Sequence, residues 1–293
     1  MLGGSWLAWQ APRDLNALCV RALEAGFDGP MPGPTEPQVD WDQLLPCFDQ
    51  LPIRVDAVRA HAPAATDGEP AVRFAALSPV ERGRAWSAIS TCASQAERLR
   101  IRTVVLEPGR VEVDGERTAS DLGDRSITWN EARVQTLRQR FAARRERHLD
   151  LAIRALHALL QIHSEMHFAL TGSFDLLGLG EPGALVCILE DLHSPRLSYW
   201  HDCGVAWRRQ LAGLEPHGHW LDLLHKWLGG VTWSDATASE VLLPPGAGGV
   251  DYSLVASYIK RLRGGLPGVV ELHPSLGAQD VRNARSSLRR FGV

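Results

Sequence analysis

Eight short apolar runs, separated by segments of helical periodicity, recur along almost the whole of this 293-residue chain. The runs fall near residues 3–9, 27–31, 54–61, 102–107, 167–171, 197–202, 230–233 and 268–272. Helical patterns fall near 13–25, 40–50, 78–98, 129–164, 183–192, 221–227 and 254–263, and a last one near 278–291 closes the series. Strands that alternate with helices build parallel sheets, because a parallel neighbour is reached only through a crossover. Eight such units in a chain of this length favour a closed barrel over an open sheet. The expected fold is α/β: a single (β/α)8 TIM barrel over residues 1–293. No domain boundary and no internal repeat stands out.

Local signals agree with this division. Gly26 follows the first helical pattern as a C-cap glycine should. Ser78-Pro79, with Glu81 close behind, reads as an N-cap with Pro at the first helical position. Asp251 opens the helix after a Gly-rich stretch and can cap it. Residues 110–128 are polar and contain Gly, and they read as a long loop over the barrel mouth.

Composition narrows the function. The chain is 45% hydrophobic and 22% charged, an ordinary globular balance. Net charge is −3 and no basic stripe marks a nucleic-acid surface. Arg144, Arg145 and Arg147 cluster beside Glu146 and read as a solvated helix face. No apolar run approaches the roughly 18 residues of a membrane span. The first residues lack the basic and apolar parts of a signal peptide. A soluble, cytoplasmic protein without nucleic-acid or membrane partners is therefore expected. The five cysteines are scattered and form no CxxC, so neither a disulfide framework nor a zinc knuckle is indicated. The two lysines, Lys226 and Lys260, lie in helical patterns, which weighs against a Schiff-base mechanism.

In a parallel barrel the C-terminal strand ends converge on one mouth, and chemistry is done there. The run Leu197 to Trp200 ends abruptly in His201 and Asp202. The other runs end in Met31, His61, Glu107, Thr171, Thr232 with Asp235, and Glu271 with His273. Trp200 and Trp233 either fill volume or form a stacking wall for a ring-shaped ligand.

These same residues carry a resemblance. Tyr199–Ala206, YWHDCGVA, resembles a YWHDxGHA motif of the sugar phosphate isomerase/epimerase family, the relatives of xylose isomerase and endonuclease IV. GFDGPM (26–31) is similar to the family's GFDGVE, with Met31 in place of Glu. VRAHAP (58–63) and VVLEPG (104–109) resemble the ends of the third and fourth strands. FALTGS (168–173) aligns with LALENR, so Thr171 stands where the family has a metal-ligand Glu. Val205 replaces a His, and GVTWSD (230–235) puts Thr232 and Ser234 where GVHLHD has two more. LPPGAGGVDY (243–252) matches a PGxGxxD loop, and VVELHP (269–274) keeps the final Glu as Glu271.

The resemblance implies a site in which two Glu, one Asp and one His bind a divalent metal, which stabilises an enediolate while a Glu pair moves protons. Of those four ligands, Asp202 and Glu271 remain. No cofactor is expected beyond a weakly held Mn²⁺, Mg²⁺ or Zn²⁺ on Asp202 and Glu271. The expected activity is isomerase- or epimerase-like proton transfer on a small polyhydroxylated or carbonyl compound. Glu271 would be the base, Asp202 the acid or residual ligand, and His201 and Glu107 supporting groups. His61, Trp200, Trp233, Asp235 and His273 are the candidate substrate-binding residues. The alternative is a catalytically silent barrel that binds a ligand or a partner protein. In that reading His201 and Asp202 merely satisfy buried polar groups.

Two further motifs carry less. Gly178–Gly183 satisfies GxGxxG, but Thr171–Leu177 separate it from its strand, whereas a dinucleotide fingerprint follows its strand directly. His217, Gly218 and His219, with His225, lack the Cys or carboxylate companions of a metal site.

Overall fold

The computed structural model describes residues 1–10, 14–33, 41–60, 74–113, 120–124, 126–262 and 265–291. Eight strands form one sheet: β1 (Leu2–Gly3), β2 (Pro30–Met31), β3 (Ala57–Arg59), β4 (Thr103–Leu106), β5 (His167–Thr171), β6 (Leu197–Asp202), β7 (Leu228–Trp233) and β8 (Gly268–Val270). Every pairing is parallel, and the order is β2-β1-β8-β7-β6-β5-β4-β3. The ends of that row approach each other. Arg54 N–H donates to Asp28 O at 2.7 Å and Arg59 N–H to Pro32 O at 2.8 Å, so β2 and β3 close the cylinder through two bonds. The result is a near-closed (β/α)8 barrel.

Ten helices, among the described residues, follow the strands: α1 (Gly4–Gln10), α2 (Leu15–Glu24), α3 (Leu44–Gln50), α4 (Pro79–Arg98), α5 (Glu131–Ile162), α6 (Pro182–Leu192), α7 (Cys203–Leu211), α8 (His217–Leu224), α9 (Tyr252–Ile259) and α10 (Ala278–Arg290). Side chains cap them as their types dictate. Asp14, Ser78, Asn130, Glu181 and Asp251 accept from the first-turn amides of α2, α4, α5, α6 and α9. Gly26 has φ +83°, the left-handed turn that ends α2.

Three segments differ from the sequence expectation. Residues 3–9 read as a strand, yet only Leu2–Gly3 pairs, and the chain turns at once into α1. Trp6 and Leu7 are buried while Ser5, Trp9 and Gln10 are exposed, the one-sided burial of a helix laid on the barrel and not of a barrel strand covered on both faces. The helix expected at 221–227 begins four residues earlier, at His217. α7 was not anticipated, because it starts at Cys203 with no intervening loop: Asp202 is both the last residue of β6 and the cap of α7.

Two apolar regions hold the barrel. The larger lies between sheet and helices and includes Leu7, Leu106, Phe168, Tyr199 and Trp220. The other fills the cylinder itself: Met1, Met31, Ala57, Val105, Ala169, Trp200 and Val269. Such a layer makes the interior a packed core, not a pore. Trp200 is fully buried there, and a Cβ on Gly230 would collide with its ring. The missing side chain on β7 therefore makes room for the indole on β6.

After β4 the chain runs beside the segment that follows β5. Val111 N–H donates to Leu177 O, Leu176 N–H to Ser120 O and Leu122 N–H to Phe174 O. Arg110 pairs with Asp175 at 3.1 Å. Leu122, Leu176 and Leu177 pack there against Val134 and Leu137 of α5. Of the loop expected at 110–128, residues 114–119 and 125 lie outside the described residues.

Candidate active site at the barrel mouth

Strand side chains alternate, so the residue two positions beyond each interior residue also faces inward. Beyond Ala57, Val105, Ala169, Trp200 and Val269 stand Arg59, Glu107, Thr171, Asp202 and Glu271. These five side chains, with Thr232 of β7, form the next layer up, at the C-terminal mouth.

Glu271 is nearly buried and is the most tightly held. Gly3 makes its space, since a Cβ there would overlap the carboxylate. The Ser5 hydroxyl and backbone N–H both donate to it. Burial nevertheless wins and raises its pKa; the Arg59 charge and the Ser5 bonds oppose that rise.

Asp202 is also buried, and its pKa is likewise raised by burial. Its Oδ1 caps α7 by accepting from Val205 N–H at 3.1 Å. Its Oδ2 faces the Arg59 guanidinium at 3.8 Å. Thr232 is occupied as well, because its hydroxyl accepts from Trp200 Nε1–H at 2.9 Å. The Thr171 hydroxyl is buried and has no partner.

Arg59 was not among the candidate residues. It is rooted in β3, three strands from β6, and reaches across the mouth to Asp202. Its charge also bears on Glu107 and Glu271. Its Nε is buried without a hydrogen-bond partner. The sequence carried a signal for it: an inward position two beyond Ala57, hidden because the run was read on to His61. Glu107 bonds Ser173, and its crowded surroundings raise its pKa, led by desolvation. Its side chain is exposed to solvent, which screens its charge and weakens that rise relative to Glu271.

The other candidates lie elsewhere. His201 and Trp233 occupy the outward positions of β6 and β7 and pack between sheet and helices. His201 is fully buried and bonds Tyr199 O–H at 2.7 Å and His217 Nε2 at 3.0 Å. Burial lowers the pKa of both imidazoles, that of His217 to about 4. Asp235 is buried and accepts from Ala236, Gly246 and Val250 N–H, so it organises the 243–252 loop. Trp200 lies beneath the mouth layer as its floor. His273 is half-buried and bonds Ser275 at 2.7 Å. His61 lies outside the described residues.

These residues fit a divalent cation poorly. One Asp202 oxygen is committed to the α7 cap, the Thr232 hydroxyl to an indole, Val205 is apolar and Thr171 is neutral. A guanidinium already faces the remaining Asp202 oxygen. Among the described residues no group of three or more His, Cys, Asp or Glu is placed to hold a metal.

No protein-family model matches the sequence, and no curated protein does. Solved structures do. A D-tagatose 3-epimerase-like protein superposes with TM-score 0.70 at 16% identity, covering 99% of this chain and 96% of that one. An L-ribulose 3-epimerase gives 0.70 at 12%, with 99% and 95% covered. A D-psicose 3-epimerase from Clostridium cellulolyticum H10 gives 0.68 at 12%, with 99% of both chains covered. The fold is the (β/α)8 barrel that these epimerase structures share. At these identities the likeness is one of fold, and function must be argued from the mouth. Among the described residues no helix is long and apolar enough to cross a membrane.

Proposed function

We propose that the protein is an isomerase or epimerase of small polyhydroxylated carbonyl compounds, acting by proton transfer at the barrel mouth. The observation that carries this reading is the placement of Glu271 and Glu107. They follow β8 and β4, which stand on opposite sides of the cylinder. Inversion at a carbon needs a base on one face and an acid on the other.

Glu271, ionised, takes the proton from the carbon beside the carbonyl. The C–H electron pair becomes a carbon–carbon double bond, and the carbonyl pair moves to oxygen. Glu107, which reaches solvent, passes a proton from water to the opposite face, and the carbonyl re-forms. Solvent then resets the two carboxyls. Burial of Glu271 strengthens it as a base, because it raises its proton affinity. Two relatives in fold named as epimerases, and one named epimerase-like, support the reaction class.

The test is deuterium wash-in. Unphosphorylated ketoses incubated with the protein in D₂O should gain deuterium beside the carbonyl, read by NMR. Glu271→Gln should lower the rate at least about 100-fold with circular dichroism unchanged. Wash-in that survives in Glu271→Gln would exclude this assignment. A second reading, binding of a ligand or partner protein without turnover, is favoured by Asp202 and Thr232 being already engaged. It predicts ketose binding by calorimetry with no wash-in.

A further inference from the structure

We infer that Arg59 takes the place of the divalent ion: its guanidinium is the fixed cation that binds and polarises the carbonyl oxygen of an uncharged polyhydroxy ketone or aldehyde. This rests on the proton-transfer reading above and names the group that stabilises the enolate oxygen in it.

Four observations lead there. The Arg59 side chain spans the mouth from β3 to within 3.8 Å of the Asp202 carboxylate on β6. Its positive charge acts on Glu107, Asp202 and Glu271 alike, which makes it the electrostatic hub of the layer. Its Nε is buried with no acceptor, although a guanidinium carries five N–H donors in a fixed fork. The Thr171 hydroxyl, where a metal-binding carboxylate would be expected, is likewise buried and unpartnered. Buried donors left open are costly unless something fills them. An oxygen-rich ligand would satisfy both at once.

Charge selects the class of ligand. Three carboxyl groups share this mouth with one guanidinium. A phosphate or carboxylate on the ligand would meet like charge, whereas a neutral carbonyl oxygen meets only the cation. As the carbonyl pair moves to oxygen, the developing negative charge sits against Arg59, where it is stabilised most. The C–H proton goes to Glu271, so no oxidant or co-reactant is required.

The probe is Mn²⁺ alone, titrated by electron paramagnetic resonance into the wild type, Arg59→Met, Thr171→Glu and the Arg59→Met/Thr171→Glu double variant. The wild type should take up no Mn²⁺ at micromolar concentration. Thr171→Glu should stay inert, because the new carboxylate pairs with Arg59. The double variant, with the guanidinium gone and a third strong donor present, should bind at least tenfold more tightly than either single variant. Stoichiometric Mn²⁺ on the wild type would overturn the proposal. So would equal binding by Thr171→Glu and the double variant, or no gain in a folded double variant. Arg59→Lys, which keeps charge but not the fork, serves if Arg59→Met does not fold, and should also stay metal-free. Wash-in measured in parallel separates the two readings. A wild type that neither exchanges nor binds Mn²⁺ would end the proton-transfer reading, and the polarising role with it, while the metal titration still decides whether Arg59 occupies the place of the ion. Exchange abolished by EDTA and restored by Mn²⁺ would end the Arg59 proposal alone.

Discussion

Gly3 and Glu271 are matched across the β1–β8 junction: the absent side chain on one is the space occupied by the carboxylate of the other. Gly3→Ala is expected to push the carboxylate away from Ser5 while the barrel survives. Overpacking of this size costs roughly 1–3 kcal/mol. Deuterium wash-in should fall at least about tenfold, well beyond what that stability loss explains. Wash-in at the wild-type rate would mean that Glu271 is not the base.

Asp202 joins β6 to α7 and should show it in stability. Asp202→Ala removes the cap and should cost about 1–2 kcal/mol in urea denaturation. Asp202→Asn keeps an oxygen for the Val205 amide and should cost less. Equal losses in the two variants would assign the effect to the Arg59 pairing instead.

The His201–His217 pair should make the fold acid-sensitive. Burial holds both imidazoles below the ordinary value, His217 at about 4 against 6.5. The unfolded chain therefore binds protons that the folded chain refuses, and stability rises with pH in this window. The contribution is complete above about pH 6.5 and is lost as pH falls toward 4, at about 1.4 kcal/mol per unit for each histidine. For His217 alone the loss amounts to roughly 3 kcal/mol. Urea midpoints measured from pH 7.5 to 4.5 should show this slope, and His217→Gln should flatten it.

Asp235 should behave as a loop organiser and not as a substrate ligand. Asp235→Ala frees three amide donors and should cost about 2–3 kcal/mol. Hydrogen exchange should quicken at Gly246 and Val250 while ketose binding keeps its affinity. A large loss of affinity with slow exchange at those amides would return Asp235 to the binding site.

The barrel was legible because its signal is distributed: eight alternations survive an error in any one of them. β5 and β6 were placed to the residue, since both are long for this sheet and almost wholly buried. β1 was not, because two paired residues carry no period and tertiary packing decides the helix that follows. At the site, Asp202 and Glu271 were legible through strand-end position and resemblance. His201 and Trp233 read as mouth residues in the sequence because their proximity to Asp202 and Thr232 hides the alternation that turns them to the other face. Arg59 was missed because the end of β3 was set two residues late. The partnership of His201 with His217 depends on α8 crossing behind β6, which no local pattern announces.

The cylinder is fastened between β2 and β3 by a pair of amides, and one of those belongs to Arg59 itself. The loosest join in the sheet and the cation at its rim thus share a single residue. A molecule gripped by the guanidinium would brace that join, so occupancy of the mouth and rigidity of the whole hoop should rise together.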